Sequence, residues 1–199
     1  MWKPERGLIA SLALGCDALL GDPPNRFHPV AWMGSGIKSL EQHAPLHNHS
    51  ASFGYGGLIM LGGAAATLGA GYLLERLCRR LPAPFNYLAE AFLLNTCIAG
   101  RGLAQAGSEI EEALSEENLP DARRLLSWHL VSRDTGGLDA SQVCAATIES
   151  IAENTSDGII APLFFYQVGG LPVAFLYRFT NTADAMLGYH DAVHEWLGK

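Results

Sequence analysis

Gly54-Tyr-Gly-Gly-Leu-Ile-Met-Leu-Gly-Gly-Ala-Ala-Ala-Thr-Leu-Gly-Ala-Gly-Tyr-Leu-Leu74 runs for 21 residues without a charge. A helix rises about 1.5 Å per residue, so this stretch reaches across a hydrocarbon layer of about 30 Å. Gly62, Gly63, Ala66 and Ala70 give it a small-residue face suited to close helix packing. Arg76, Arg79 and Arg80 follow at once, a cluster that marks the cytoplasmic end of a span. The stretch predicts a membrane helix, and the rest of the chain is read outward from it.

Three further apolar segments accompany it, at 8–20, 85–100 and 158–177. Leu8–Leu20 follows Lys3 and Arg6 as a signal peptide would, but it lacks a small-residue cleavage pattern and Asp17 interrupts it. It predicts a retained membrane-embedded or interfacial helix. Phe85–Gly100 is apolar except for Glu90 and Asn95. Gly158–Tyr177 carries Pro162, Gly169, Gly170 and Pro172, so it is either a kinked span or a re-entrant pair. Residues 101–157 form a polar helical region; up to Ser141 it reads as one or two amphipathic helices broken near Asn118-Leu119-Pro120. The fold class predicted is all-α: a polytopic membrane helical protein, one membrane-embedded domain over 1–199, with an amphipathic segment at or outside the membrane. If every apolar run spans, the polar motifs do not all face one side. At least one of 8–20, 85–100 and 158–177 must then be re-entrant or interfacial.

Composition agrees with a bilayer partner. Only 17% of residues are charged, and the net charge of −7 excludes a binder of nucleic-acid backbones. Cys16, Cys78, Cys97 and Cys144 form no CxxC pair and read as reduced thiols.

Four clusters carry the candidate chemistry. Gly21-Asp22-Pro23-Pro24 with His28-Pro29 places a carboxylate and an imidazole on a proline-fixed loop, which is equally a turn capped by Asp22. Ser132-Arg133-Asp134-Thr135 precedes Gly136-Gly137 and resembles an anion-binding loop; the plainer reading is a local Arg–Asp pair. Glu149, Glu153 and Asp157, spaced i, i+4, i+8 with Asn154 among them, form a stripe along one helical face. Like charges at that spacing repel, so the stripe calls for a metal or an ionic substrate unless it is simply a solvated face. Oxygen ligands of this kind suit Mg²⁺. Last, Arg178 precedes Asn181-Thr182-Ala183-Asp184, where Asp184 can complete a carboxylate site from another helix and Asn181 reads as a helix cap. His43, His47 and His49, and the pair His190 and His194, read as surface residues.

In this order the clusters resemble the adenosylcobinamide-phosphate synthase family of the cobalamin pathway. The matching text is Asp17-Ala-Leu-Leu-Gly-Asp-Pro-Pro…His28-Pro-Val, Leu130-Val-Ser-Arg-Asp-Thr, Glu149-Ser-Ile-Ala-Glu-Asn-Thr-Ser-Asp-Gly and Asn181-Thr-Ala-Asp-Ala-Met-Leu-Gly-Tyr. The resemblance implies a multi-pass inner-membrane enzyme that uses ATP and Mg²⁺ to join cobyric acid, usually adenosylated, to (R)-1-amino-2-propanol or its phosphate through an amide. Other membrane enzymes of cobalamin assembly are its expected partners. For that reaction His28, Arg133 and Asp134 are the candidate catalytic residues, and Ser132, Arg133 and Asn154 the candidate phosphate ligands. Glu149, Glu153, Asp157, Asp184 and Asp22 are the candidate metal ligands. No phosphate-loop pattern is present to place the nucleotide. Members of the family usually continue beyond the Gly188-Tyr189 motif, so a C-terminal part is expected to be missing. Two competing readings are a membrane corrinoid or ion transporter and another Mg²⁺-dependent membrane transferase.

Overall fold

The computed structural model describes residues 4–189 and 194–199, and within them all regular structure is helical. The α-helices are α1 (Pro4–Leu20), α2 (Pro29–Glu41), α3 (His49–Cys78), α4 (Phe85–Asn95), α5 (Gly100–Ser115), α6 (Leu119–His129), α7 (Ala140–Thr155), α8 (Ala161–Gly169) and α9 (Leu171–Leu187). The all-α expectation holds. One helix, α3, is long and apolar enough to cross a membrane, and only 17% of its most apolar window is buried.

Local chemistry sets the boundaries. The Asn48 side chain accepts from Ala51 N at 3.1 Å and opens α3. Asn118 does the same for α6 at Asp121 N, with Pro120 in the first turn, so the break falls where the sequence placed it. Asp139 and Gln142 form a reciprocal capping box at the start of α7. Asp139→Ala removes the side-chain acceptor of Gln142 N, while the Asp139 N–H to Gln142 bond can persist, and is expected to lower stability by about 1 kcal/mol in a denaturant titration.

One of the apolar segments is shorter than expected, and another takes the paired one of its two expected forms. In 85–100 the helix stops at Asn95 and the chain turns before α5, with the Thr96 hydroxyl donating to Leu93 O at 2.7 Å. The run 158–177 is a hairpin: α8 descends, Gly170 reverses the chain at φ +78°, and α9 returns. Glu75 completes the reversal, its carboxylate accepting from Leu171 N at 3.1 Å at the start of α9.

The hairpin decides where the motifs lie. Helices α1 and α4 run parallel, with Arg6 and Ile9 beside Asn86 and Glu90 at one end, and Asp17 accepting from Arg101 N at the other. Helix α3 runs opposite to α9, with Gly71 against Pro172 and Gly63 against Phe179. Asp22, the end of α7 and Asp184 therefore reach one end of the bundle, and Arg76, Arg79 and Arg80 lie at the other. The hairpin at 158–177 is what brings these motif regions to a common end of the bundle.

The bundle core gathers Ile9, Ala13, Leu94, Ile98, Tyr166 and Phe175 from α1, α4, α8 and α9. A second cluster of Ile37, Ile59, Phe179, Leu187 and Leu197 seats α2 on α3 and α9. A third, of Ile110, Ala113, Leu126 and Val143, holds α5, α6 and α7 as a polar lobe above the motif end.

Candidate active site

Pro162 shapes the centre of the site. It has no N–H to give to the carbonyl four residues back, and its ring crowds that carbonyl. The chain answers with one π-helical turn over Ser156–Ile160. Gly158 O, left free, accepts from Ala99 N at 3.0 Å, and Asp157 O accepts from the Tyr177 hydroxyl at 3.2 Å. One turn thereby docks the start of α5 and the middle of α9. Beside it lies a cavity of about 350 Å³ whose polar wall is His129, Asn154, Asp157, Arg178 and Asn181.

A second, shallower cleft of about 280 Å³ adjoins the first and shares Leu130 with it; Ser132, Arg133, Glu149 and Glu153 line it. The predicted stripe is thus divided. Glu149 and Glu153 stay in register on α7, exposed to solvent and facing Arg133, whereas the wider π turn rotates Asp157 into the first cavity.

The remaining expectations meet different fates. Asp134 Oδ1 accepts from Gly136 N at 2.9 Å, so its carboxylate closes a turn in the loop rather than facing either cleft. Asp184 is exposed and lines a separate cavity with Thr180, Gly56 and Lys199, three residues round α9 from Asn181. It does not join the stripe. Asn181 lies inside α9, not at a cap, and accepts from Arg178 Nη1 at 3.3 Å. Asp22 Oδ1 and His28 Nε2 stand 3.4 Å apart on the α1–α2 loop; a β-carbon on Gly102, in the wall of the larger cavity, would lie 3.8 Å from Asp22 Oδ2. Among the described residues no three His, Cys, Asp or Glu side chains converge on a metal-sized space. The five carboxylates predicted as one ligand set are therefore dispersed. His43 bonds to Ser39 O, His49 stacks on Trp196 and His194 pairs with Glu41; His190 lies outside the described residues.

A residue the sequence reading left idle anchors the site. Asp17, 4% exposed, accepts Arg101 N at 2.9 Å, while the Arg101 guanidinium donates to Leu19 O at 2.7 Å and so caps the end of α1. Asn95, fully buried, donates to Gly21 O at 3.3 Å. Together they fix the start of the Asp22–His28 loop to the end of α4 and the beginning of α5. Arg101→Ala is expected to cost about 1–2 kcal/mol in thermal unfolding, by freeing the α1 terminus.

A family model described as "CobD/Cbib protein" matches residues 10–199. The chain belongs to the CobD/CbiB family. It is 37% identical over 185 residues to "Cobalamin biosynthesis protein CbiB" of Salmonella choleraesuis, covering 92% of this chain and 57% of that protein. It is 39% identical over 184 residues to "Cobalamin biosynthesis protein CobD" of Citrobacter koseri, with the same coverage of 92% and 57%. A third relative, "Probable cobalamin biosynthesis protein CobD" of Methanothermobacter thermautotrophicus, is 40% identical over 190 residues, 96% of this chain and 60% of that one. The chain thus spans under two thirds of the length of these relatives, and no solved structure matches it. In this CobD/CbiB chain the signals for the unanticipated residues were isolated polar positions within apolar runs: Asp17 in 8–20, Asn95 in 85–100, and Arg178 as the first charge after 158–177.

Proposed function

We propose that this chain contributes the amide-forming site of cobalamin biosynthesis, joining (adenosyl)cobyric acid to (R)-1-amino-2-propanol or its O-phosphate at the expense of ATP. The supporting observation is the pair of polar clefts that share Leu130, in a chain whose relatives are named cobalamin biosynthesis proteins. A carboxylate is a poor acyl donor. In the proposed reaction a substrate carboxylate oxygen takes the terminal phosphoryl group of ATP and ADP leaves. The acceptor amine then attacks the acyl carbon, phosphate departs, and a base takes the nitrogen's proton. Arg133 and Ser132 meet the phosphoryl oxygens in the shallow cleft. Glu149 and Glu153, one turn apart beside them, fit Mg²⁺, which takes one or two carboxylates plus substrate phosphates. Bound there, the ion would neutralise charge on those phosphates. His28, held by Asp22, is the candidate base.

The membrane reading is multi-pass. Leu58, Leu61, Leu73, Leu88, Phe164 and Val168 are exposed around the bundle, an apolar surface that suits lipid, while the polar lobe of α5–α7 stands clear of it. Arg76, Arg79 and Arg80 favour a cytoplasmic position for their own end, and ATP use favours it for the motif end. The second requirement prevails in this proposal, because Arg79 is already tied to Glu75. Single-cysteine variants at Ser35→Cys and Arg80→Cys, labelled in intact cells by an impermeant maleimide, are expected to react at position 80 and not at 35. The reverse pattern removes ATP from the site.

The reaction itself is tested by incubating the chain in detergent with cobyric acid, MgATP and each acceptor. Formation of the cobinamide amide with ADP release is expected. ATP-independent corrinoid uptake into vesicles, without amide, would favour a transporter instead.

A further inference from the structure

The end of the bundle opposite the motifs holds charged groups that the proposed reaction does not employ. Between the first turn of α1 and the start of α4 lies a cavity of about 250 Å³ whose polar wall is Glu5, Arg6, Arg79, Asn86 and Glu90. Glu90 is 7% exposed, and its Oε1 accepts from the hydroxyl of the fully buried Tyr166 at 2.7 Å. An ionisable group set so deep in an apolar bundle is costly and by default signals a function. Arg6 donates through Nη1 to Gln167 O at 2.8 Å and stands 6.0 Å over the Tyr166 ring, and Arg79 is tied to Glu75. Each guanidinium carries five N–H donors, so both keep open donors beside the cavity. Asn86 Oδ1 is buried there without a donor, and Glu5 has no partner among the described residues.

Glu75 is already engaged by Arg79 and Leu171 N, which leaves Glu90 as the deep negative charge of the wall. A purely anionic ligand would leave Glu90 unbalanced, and a purely cationic one would leave Arg6 so. An ammonium with three N–H donors matches Glu90 and Asn86 Oδ1, while a phosphodiester matches the two guanidinium forks. The volume lies just below the range of drug-sized pockets and suits a group of about eight heavy atoms, the size of phosphoethanolamine. The surface beside the cavity is apolar. Phe85, Leu88 and Phe92 share one face of α4 at i, i+3, i+7, all exposed, and Leu8 is exposed on α1. We propose that this cavity binds the headgroup of an ethanolamine phospholipid, with its phosphodiester on Arg6 and Arg79, its ammonium on Glu90 and Asn86, and its acyl chains along α4. The proposal rests on the multi-pass reading and concerns a lipid, not a substrate of the amide-forming reaction.

Native mass spectrometry of the full chain released from detergent tests this with four probes: dihexanoyl phosphatidylethanolamine, its choline and glycerol counterparts, and free O-phosphoethanolamine. The ethanolamine lipid is expected to bind at least about tenfold tighter than each of the others. The choline headgroup has no N–H for Glu90, the glycerol headgroup has no cation, and free phosphoethanolamine has no chains. Glu90→Gln, which can still accept from Tyr166, should remove the preference over the glycerol lipid. Arg6→Gln should weaken all three lipids by about tenfold and leave their order unchanged. An ethanolamine lipid that binds no tighter than the glycerol lipid to the unaltered chain overturns the inference, whatever the variants do. So does a preference that survives Glu90→Gln, or free O-phosphoethanolamine that binds as tightly as the lipid. A chain that resists alkaline carbonate extraction from membranes yet shows no headgroup preference loses this site and keeps the multi-pass reading; a chain that is extracted loses both.

Discussion

Gly170→Val is expected to lower stability by about 3–5 kcal/mol, enough to unfold a marginally stable chain. Two penalties combine. At φ +78° a β-branched residue sits in left-handed backbone, which costs roughly 1–2 kcal/mol even for less crowded side chains. A β-carbon there would also run into the Glu75 carboxylate and stand 3.1 Å from Arg6 Nη2. Glu75 would lose Leu171 N, and a buried carboxylate stripped of one donor accounts for roughly 2–3 kcal/mol more. Denaturant unfolding in detergent measures the loss. Gly137→Ala, with open space around it, serves as the control and should change stability by no more than about 0.5 kcal/mol. A valine variant as stable as the control would show that the α8–α9 reversal does not depend on this residue.

The second large effect is on activity. Arg133→Ala and Glu153→Ala are each expected to reduce amide formation by about 10²-fold or more, the usual loss when a group that stabilises developing charge is removed. Both side chains are exposed and neither makes a hydrogen bond or ion pair with the described residues, so the unfolding midpoint should stay unchanged. Arg133→Lys should recover little, since an ammonium cannot reproduce the planar fork on phosphoryl oxygens. Undiminished turnover in both alanine variants would remove the phosphoryl site from the shallow cleft.

These residues also show what a one-dimensional reading can reach. Glu149 and Glu153 were legible because α7 is a regular helix and i, i+4 spacing keeps them together. Asp157 followed the same spacing, yet the π turn induced at Pro162 carried it to another cavity. Proline was visible in the sequence, but whether a helix kinks, stops or widens there depends on what donates to the freed carbonyl, and that donor, Ala99 N, lies far away in the chain. Asp184 misled for a related reason. Its neighbourhood in sequence was right and its azimuth on α9 was not, because packing against α3 fixes that azimuth.

By itself the sequence determined the helical class, the apolar segments, the break near Asn118-Leu119-Pro120, and the motif set that marks the family. Those follow from local hydrogen bonding and from the periodicity of apolar residues, which need no partner to be read. The tertiary structure decided that 158–177 turns back at Gly170, that the motifs therefore share one end, and that Arg178 and Asp157 line one cavity. Such outcomes depend on which distant groups meet: Glu75 with Leu171 N, Ala99 N with Gly158 O, Tyr177 with Asp157 O. No local spacing encodes those meetings.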